Sequence, residues 1–201
     1  MKKLSSILAF LFLISAGPVT GSAQNAAAVE PQLVYKALQD KDCRHWVDSV
    51  MDRLSFKEKV GQLFIYTIAP VDTKRNLELL REAVDTYKVG GLLFSGGKLQ
   101  NQVNLTNRAQ RQAKVPVMIT FDGEWGLAMR LRGVFPRNMV LGCIQDNRLI
   151  HAYGREVARQ CKQIGAQVNF APVADVNINP KNPVINTRSF GENPIQVADK
   201  V

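Results

Sequence analysis

The sequence predicts an α/β protein in which short buried strands alternate with amphipathic helices around a parallel sheet. Short apolar runs rich in β-branched and aromatic residues recur along the chain, as in strands that are buried on both faces. Segments with apolar residues at helical spacing separate these runs. Strand and helix alternate at about the spacing of βα units, which is the arrangement that builds a parallel sheet.

Residues 1–23 are expected to be a signal peptide rather than part of this fold. Lys2 and Lys3 precede an apolar run over residues 7–16, and small residues follow as far as Ala23. This is the pattern of a cleaved secretory leader. The apolar run is too short for a permanent membrane span. We therefore expect a periplasmic or secreted protein with no permanent membrane span.

The charge of the chain argues against a nucleic-acid partner. The formal net charge is +9, or +7 once Lys2 and Lys3 are removed with the leader. The basic residues are scattered among acidic residues at helical spacing, and they do not form a basic stripe with interleaved aromatic residues. We interpret most of them as solvated helix faces.

The cysteine and histidine residues do not predict a disulfide framework or a metal site. Cys43, Cys143 and Cys161 are too few for such a framework, and an odd number leaves at least one thiol outside a bridge within the chain. A Cys143–Cys161 bridge is conceivable, but buried thiols are favoured. His45 and His151 are far apart in sequence, so we expect no metal site.

The first half of the chain predicts a leader followed by the start of a domain. Residues 24–54 are expected to form a leader and a helix, and the domain is expected to cover residues 55–201. Ser55 and Glu58 form a capping-box pattern that opens the next helix. Strands are predicted over residues 64–68 and 92–95. A helix capped by Asp72 or Thr73 lies between them and ends at Gly90 and Gly91, and another covers residues 99–113.

The second half continues the same alternation. A strand is predicted over residues 117–121, a short apolar piece over 139–143, and a strong amphipathic helix after Asp146. A further strand covers residues 167–171, and a long loop rich in Asn and Pro leads to a last helix opened by Asn193. A complete (β/α)₈ barrel needs about 250 residues. Residues 55–201 therefore predict the N-terminal half of such a barrel, and the uncapped helical pattern at the end predicts a truncated chain.

The turn after the strand at residues 117–121 is the first candidate site, because ligands of parallel α/β proteins bind at the carboxyl ends of strands. Asp122 either faces a ligand there or bonds to the turn amides. Glu124 is expected to form a structural salt bridge with Arg130 or Arg132. Trp125 either closes the mouth of the barrel or stacks on a ligand. Arg130 is suited to contacts with hydroxyl or carboxylate groups.

The long loop after residue 171 is the second candidate site, because long loops in compact domains are usually functional. Asp175 and Asn177 are expected to make local bonds from side chain to backbone. Arg188 lies between a Pro-stiffened segment and Phe190, where it is better placed to reach into a site.

These two segments resemble signatures of glycoside hydrolase family 3. The first, V-P-V-M-I-T-F-D-G-E-W-G-L-A-M-R-L, is similar to the family's strand followed by D-x-E-G-G-x-x-x-R. The second, N-F-A-P-V-A-D-V-N-I-N-P-K-N-P-V-I-N-T-R-S-F-G-E-N-P, resembles the family's second N-terminal signature, and K-E-K-V-G-Q-L-F resembles its first. The R-S-F-G-E-x-P form resembles the β-N-acetylhexosaminidase branch, and the resemblance covers about residues 50–201.

The resemblance implies a sugar-binding site without metal or cofactor. Asp122 would bind hydroxyls of the non-reducing sugar of a glycan, and Arg130 and Arg188 would complete the pocket. Two residues depart from the family pattern: Trp125 replaces the first Gly of the usual pair, and Leu127 stands where Arg is frequent. Both bear on the leaving-group side of the site.

The resemblance also implies an exo-acting, retaining β-N-acetylhexosaminidase-like glycosidase. The S-D motif of the nucleophile and the K-H-F-P-G-H-G segment of the acid are not in this sequence, so the catalytic residues are expected beyond Val201. The chain by itself is then expected to be inactive and poorly folded. A β-glucosidase or β-xylosidase of the same family is one alternative, and a catalytically inactive carbohydrate-binding protein is another.

Overall fold

The computed structural model describes residues 39–131, 133 and 135–201. The predicted signal peptide and most of the predicted leader lie outside the described residues. The chain divides into two compact units, residues 1–48 and 49–201. Helix α1 (Lys41–Met51) runs across this division, and the Asp40 carboxylate accepts hydrogen bonds from the first-turn amides of Asp42 at 2.7 Å and Cys43 at 3.2 Å. Within the described ranges no helix combines the length and apolar character that crossing a bilayer requires.

The second unit contains the elements that position the candidate site. Its helices are α2 (Phe56–Gly61), α3 (Lys74–Arg81, followed by a π-helical turn at Glu82–Thr86), α4 (Leu99–Gln112), α5 (Asn138–Gly142), α6 (Asn147–Gln163) and α7 (Pro194–Lys200). Its strands are β1 (Ile65–Ile68), β2 (Gly91–Phe94), β3 (Met118–Phe121), β4 (Glu124–Leu127) and β5 (Val168–Asn169), and a 3₁₀ turn covers Asn186–Arg188.

Four of these strands form one parallel sheet in the order β1-β2-β3-β5. Ile65 pairs with Gly91, Gly91 pairs with Met118, and Thr120 pairs with Val168. Each strand therefore lies beside the next sheet strand along the chain, and helices make the crossovers, as in successive βα units of a barrel. The predicted α/β class with a parallel, barrel-like sheet is confirmed.

Local capping patterns account for where the helices begin. Ser55 and Glu58 form the predicted reciprocal capping box at the start of α2. Thr73, rather than Asp72, caps α3, since its side chain accepts a hydrogen bond from the amide of Asn76. Asp146 and Asn193 cap α6 and α7 in the same way. These caps satisfy amide groups that have no partner inside the helix.

Two predicted elements differ from the observed ones. The apolar piece at residues 139–143 belongs to helix α5, whose Asn138 and Leu141 are buried. A Cβ atom on Gly142 would overlap the backbone carbonyl of Phe190, so the helix packs more closely there than any other residue would allow. Strand β5 has two residues instead of the predicted five. Its ladder ends where the Phe170 amide bonds to the Phe121 carbonyl at 2.8 Å, shortly before Pro172, which has no amide to donate.

The core lies between the sheet and the helices that cover it. The largest side chains with almost no exposure come from the strands and α3, and they are Leu80, Leu92, Phe94, Ile119 and Phe121. A second, smaller cluster contains Leu141, Ile150, Phe190 and Val197. Through this second cluster, α5, α6 and α7 pack around Phe190, near the end of the long loop that follows β5. The end of the loop is therefore held by apolar contacts.

Candidate functional site

The turn after β3 lies at the carboxyl end of the sheet and is tied to the neighbouring strand. The Gly123 amide donates to Oδ1 of Asn169 at 2.9 Å, and Nδ2 of Asn169 donates to the Gly123 carbonyl at 3.3 Å. Asn169 is the last residue of β5, the next strand of the sheet. This reciprocal pair fixes the turn that presents Asp122. No role was predicted for Asn169 from the sequence, although its position at the end of a strand is a signal that could have identified it.

Asp122 and Arg130 form an ion pair at this turn. Both side chains remain accessible, with 26% and 34% of their surface exposed. The Arg130 backbone is held from two sides: its amide donates to the Leu127 carbonyl at 3.2 Å, and its carbonyl accepts from the Gly97 amide at 3.1 Å. Because Gly97 belongs to the loop after β2, the pair is anchored to the ends of two adjacent strands.

Glu124 pairs with Arg188 and Arg130 pairs with Asp122, so the expected salt bridge from Glu124 to Arg130 is wrong. Arg132, the other expected partner, lies outside the described residues. Nε of Arg188 lies 2.9 Å from Oε2 and 3.1 Å from Oε1 of Glu124, and Nη2 lies 2.6 Å from Oε1. The Glu124 side chain is only 2% exposed, whereas the Arg188 side chain is 34% exposed. A buried carboxylate needs such a partner, and the closely paired guanidinium satisfies it.

The charges of two further carboxylates also act on Arg188. The hydrogen bonds that Arg188 donates to Glu124 raise the pKa of Arg188 above its ordinary value, and the negative charges of Glu124, Asp122 and Asp175 raise it further. Arg188 is therefore a permanent cation within the field of three carboxylates. The candidate site therefore consists of two ion pairs, Asp122 with Arg130 and Glu124 with Arg188. Three of these residues, Asp122, Arg130 and Arg188, were predicted from the sequence to bind substrate.

The segment around Arg188 is fastened to the domain by its backbone. Nδ2 of the buried Asn138 donates to the Arg188 carbonyl at 2.8 Å. The fully buried Ser189 has its hydroxyl 2.6 Å from the Asp175 carbonyl and 2.9 Å from the Gly191 carbonyl. The hydroxyl also accepts a bond from the Gly191 amide at 3.1 Å. These contacts fix the Arg188 backbone independently of its guanidinium.

Asp175 and Asn177 enter this arrangement differently from the prediction. Asp175 contributes its backbone carbonyl to Ser189, and the Asn177 amide donates to the Gly191 carbonyl at 2.9 Å. The local bonds from side chain to backbone are made instead by Asn179, to the Lys181 amide, and by Asn182, to the Val184 amide.

Trp125 lies beside the site under an exposed arginine. Cζ of Arg137 is 5.1 Å from the centroid of the indole ring, within the range of a cation–π contact. Nη1 of Arg137 also donates to Oγ1 of Thr187 at 2.9 Å. Arg137 thus connects Trp125 to the 3₁₀ turn that contains Arg188. Neither predicted role of Trp125, closing the mouth of the barrel or stacking on a ligand, included this contact.

This arrangement suits a ligand that carries several hydroxyl groups. Carboxylates accept hydrogen bonds from hydroxyls, and guanidinium groups donate hydrogen bonds to them. The candidate site therefore offers both acceptors and donors to such a ligand. Arg188 has five N–H groups, and three of them bond to Glu124 and to the Val184 carbonyl. The remaining two can donate to a ligand.

Comparison with known proteins identifies the family. The family model described as the glycosyl hydrolase family 3 N terminal domain matches residues 55–200. The chain belongs to glycosyl hydrolase family 3. The resemblance inferred from its motifs is thereby confirmed.

Relatives within this family include named β-hexosaminidases. The chain is 36% identical over 137 residues to beta-hexosaminidase A of Pseudoalteromonas piscicida. This aligned segment covers 59% of this chain and 22% of that protein. The glycoside hydrolase family 3 β-N-acetylglucosaminidase of Paenibacillus sp. FPU-7 has a similar structure, with a TM-score of 0.65 and 30% identity over 73% of this chain and 29% of its own. The beta-glucoside phosphorylase BglX bound to 2FGlc shares the fold, with a TM-score of 0.72 and 23% identity over 80% of this chain and 29% of its own. The chain thus spans between a fifth and a third of the length of these proteins.

Proposed function

We propose that this chain forms the sugar-binding part of an exported, exo-acting, retaining β-N-acetylhexosaminidase that removes terminal β-linked sugars from glycans. The observation that carries the proposal is the accessible Asp122–Arg130 pair at the carboxyl end of β3, together with the partly exposed Arg188, which pairs with Glu124 two residues after Asp122. Family membership and the names of the relatives support this class of substrate.

The three residues have separate roles in the proposal. Asp122 accepts hydrogen bonds from hydroxyls of the terminal sugar, since a carboxylate offers acceptors only. Arg130 holds the Asp122 carboxylate in orientation through their ion pair, and its exposed side donates to the sugar. Arg188 donates with the two N–H groups that the protein leaves available. A charged acceptor and charged donors that contact one sugar ring discriminate between sugars by the positions of their hydroxyl groups.

Catalysis in this proposal belongs to groups outside residues 55–201. Retaining glycosidases use a carboxylate nucleophile about 5 Å from a second catalytic group, and they form a covalent glycosyl-enzyme intermediate. Neither Asp122 nor Asp175 is assigned this role, because Asp122 is paired with Arg130 and Asp175 acts through its backbone carbonyl. We accordingly expect residues 24–201, expressed alone, not to hydrolyse aryl glycosides.

Export is proposed from the leader at residues 1–23. Its two lysines, its apolar run and the small residues before residue 24 fit a cleaved signal peptide. Mass spectrometry of the N-terminus after expression in a bacterial host tests this proposal. A mature protein that begins at residue 24 supports it, and a retained leader contradicts it.

The activity is tested with the complete protein to which this chain belongs. Aryl N-acetyl-β-glucosaminide should be hydrolysed with a higher kcat/KM than aryl β-glucoside or β-xyloside. The Asp122→Asn variant should lose about 100-fold in kcat/KM, because hydrogen bonds to a charged group contribute about 1.5–3 kcal/mol each.

Glu156→Gln is the matched control. Glu156 also pairs with an arginine, Arg159, but on the exposed surface of α6, so its substitution should leave kcat/KM unchanged. Faster hydrolysis of the glucoside would assign the β-glucosidase activity instead. Binding of N-acetylglucosamine without hydrolysis of any substrate would assign a carbohydrate-binding protein.

A further inference from the structure

We infer that Glu124 is a positioning residue, which orients the guanidinium of Arg188 so that its two remaining N–H groups face the sugar. The inference rests on the proposed role of Arg188 in binding. It extends that proposal to a residue for which the sequence had indicated only a salt bridge with Arg130 or Arg132.

The geometry of the pair specifies an orientation and not only a charge. Oε1 of Glu124 lies within 3.1 Å of Nε and 2.6 Å of Nη2, and Oε2 lies 2.9 Å from Nε. A fork of this kind fixes the plane of the guanidinium, because two nitrogens of one planar group bond to one carboxylate. An ammonium group could neutralise Glu124, but it could not be held in one plane.

A positioning role requires that the group that holds is buried and that the group that is held stays accessible. Glu124 and Arg188 differ in this way. Glu124 is 2% exposed and therefore has little contact with solvent, whereas about a third of Arg188 is exposed. The carboxylate thus holds the inner edge of the guanidinium, and the Val184 carbonyl takes one N–H of Nη1 at 3.2 Å. The outer edge keeps one N–H on each terminal nitrogen, and the charge of Asp122 also acts on this guanidinium.

The loop does not need Glu124 to hold its backbone in place. The Arg188 carbonyl is bound by Asn138, and the next residue, Ser189, is bonded to the Asp175 and Gly191 backbone. Replacing the Glu124 carboxylate should therefore release the guanidinium while the backbone keeps its position. This separates positioning of a side chain from general support of the loop.

The expected kinetic effect is on binding of the sugar. In the complete protein, Glu124→Gln should lower kcat/KM for aryl N-acetyl-β-glucosaminide by about 10- to 100-fold, mostly through KM, because the neutral amide can no longer accept the paired N–H bonds. Glu124→Asp keeps the charge but shortens the side chain, and it should restore part of the loss. The exposed Glu156→Gln serves again as the control and should change neither KM nor kcat.

A double-mutant cycle with Arg188→Lys distinguishes positioning from a structural role. If Glu124 acts through Arg188, adding Glu124→Gln to Arg188→Lys should lower kcat/KM by less than about 3-fold further, whereas independent effects would multiply. Multiplying effects, or a Glu124→Gln variant with the KM and kcat of the parent protein, would overturn the inference. If Glu124→Gln does not fold, as judged by thermal unfolding, the cycle is run with Glu124→Asp.

A second measurement keeps the inference separate from the proposed function. The Nε–H signal of Arg188 in a spectrum of ¹⁵N-arginine-labelled protein should be protected from exchange, and the protection should be lost in Glu124→Gln. A parent protein that hydrolyses none of the aryl glycosides would refute the proposed activity and leave this readout intact. An Nε–H signal that keeps its protection in Glu124→Gln would refute the positioning role, whatever the activity.

Discussion

Arg137 covers the indole ring of Trp125, with its Cζ atom 5.1 Å from the ring centroid. Arg137 is exposed, and its Nη1 also bonds to Thr187 in the turn that precedes Arg188. An arginine at the surface thereby joins β4 to the long loop. Trp125 is one of the two residues that depart from the family pattern, so that pattern does not describe this contact.

Removing Arg137 should loosen this connection without unfolding the domain. Arg137→Ala eliminates a cation–π contact worth about 0.5–1 kcal/mol at an exposed site and one hydrogen bond of similar size. We expect the free energy of unfolding to fall by about 1 kcal/mol and the fluorescence of Trp125 to change, measured in a Trp46→Phe background. Arg148→Ala is the control, since Arg148 is 89% exposed and pairs only with nearby Asp146. Equal effects of the two substitutions would contradict the proposed contact.

Two glycines should respond in opposite directions to the same substitution. A Cβ atom on Gly142 would overlap the Phe190 carbonyl, so Gly142→Ala should destabilise the protein by about 1–3 kcal/mol through overpacking. A Cβ atom on Gly154, in the exposed middle of α6, meets nothing within 4 Å. Gly154→Ala should therefore stabilise by about 0.5–1 kcal/mol. Urea unfolding of the two variants checks both signs, and a stabilising Gly142→Ala would show that α5 does not pack on the loop as described.

The capping box of α2 predicts a loss of stability in acid. The amide of Ser55 and then its hydroxyl, followed by Lys88, lower the pKa of Glu58 from 4.5 to about 2. A carboxylate whose pKa is lower in the folded state stabilises the fold above its unfolded pKa, and this contribution disappears as the pH falls from about 4.5 to about 2. Glu58→Gln should therefore lower the urea midpoint at pH 7 but have a diminishing effect towards pH 2. A difference between the two proteins that is constant over this range would exclude the linkage.

The thiols should differ in reactivity. Cys143 is exposed and Cys161 is buried, and burial raises the pKa of the Cys161 thiol above its ordinary value. Since the thiolate is the reactive form, an aromatic disulfide reagent should label Cys143 rapidly and Cys161 only after unfolding. Cys143→Ser should remove the fast phase, and Cys161→Ser should retain it. All three cysteines are free in the structure, so the conceivable Cys143–Cys161 bridge does not form there, and the expectation of a buried thiol is wrong for Cys143. A fast phase that survives in Cys143→Ser would contradict the assignment.

The sequence predicted the features that depend on neighbouring residues. The capping box of Ser55 with Glu58 and the cap at Asp146 each involve residues a few positions apart, where helix geometry alone decides which groups meet. The four strands of the sheet were recognised because burial on both faces requires apolar residues. Strand β4, which lies outside the sheet, was predicted as part of the turn after Asp122. Only their ends, such as that of β5, depended on which neighbour was available for pairing.

The partners of the charged residues in the site could not be predicted in the same way. Glu124 lies 64 positions from Arg188 in the sequence, and Arg130 and Arg132 were nearer candidates. Proximity in sequence favoured the wrong arginine, because the long loop brings Arg188 back to Glu124. No local sequence pattern encodes the path of that loop. The contacts of Asn138 and Arg137 with that loop, each across 50 positions, were missed for the same reason.

The attachments of the long loop lie at its two ends, whereas residues 178–186 make mainly local hydrogen bonds. Ile178 and Val184 in that stretch are among the most exposed apolar side chains. Insertions or replacements at residues 178–183 would change the surface of the loop, while the Glu124 carboxylate and the Val184 carbonyl keep the Arg188 guanidinium in place. The fold thereby offers one segment in which substrate range can diverge in evolution at little cost to the folded state.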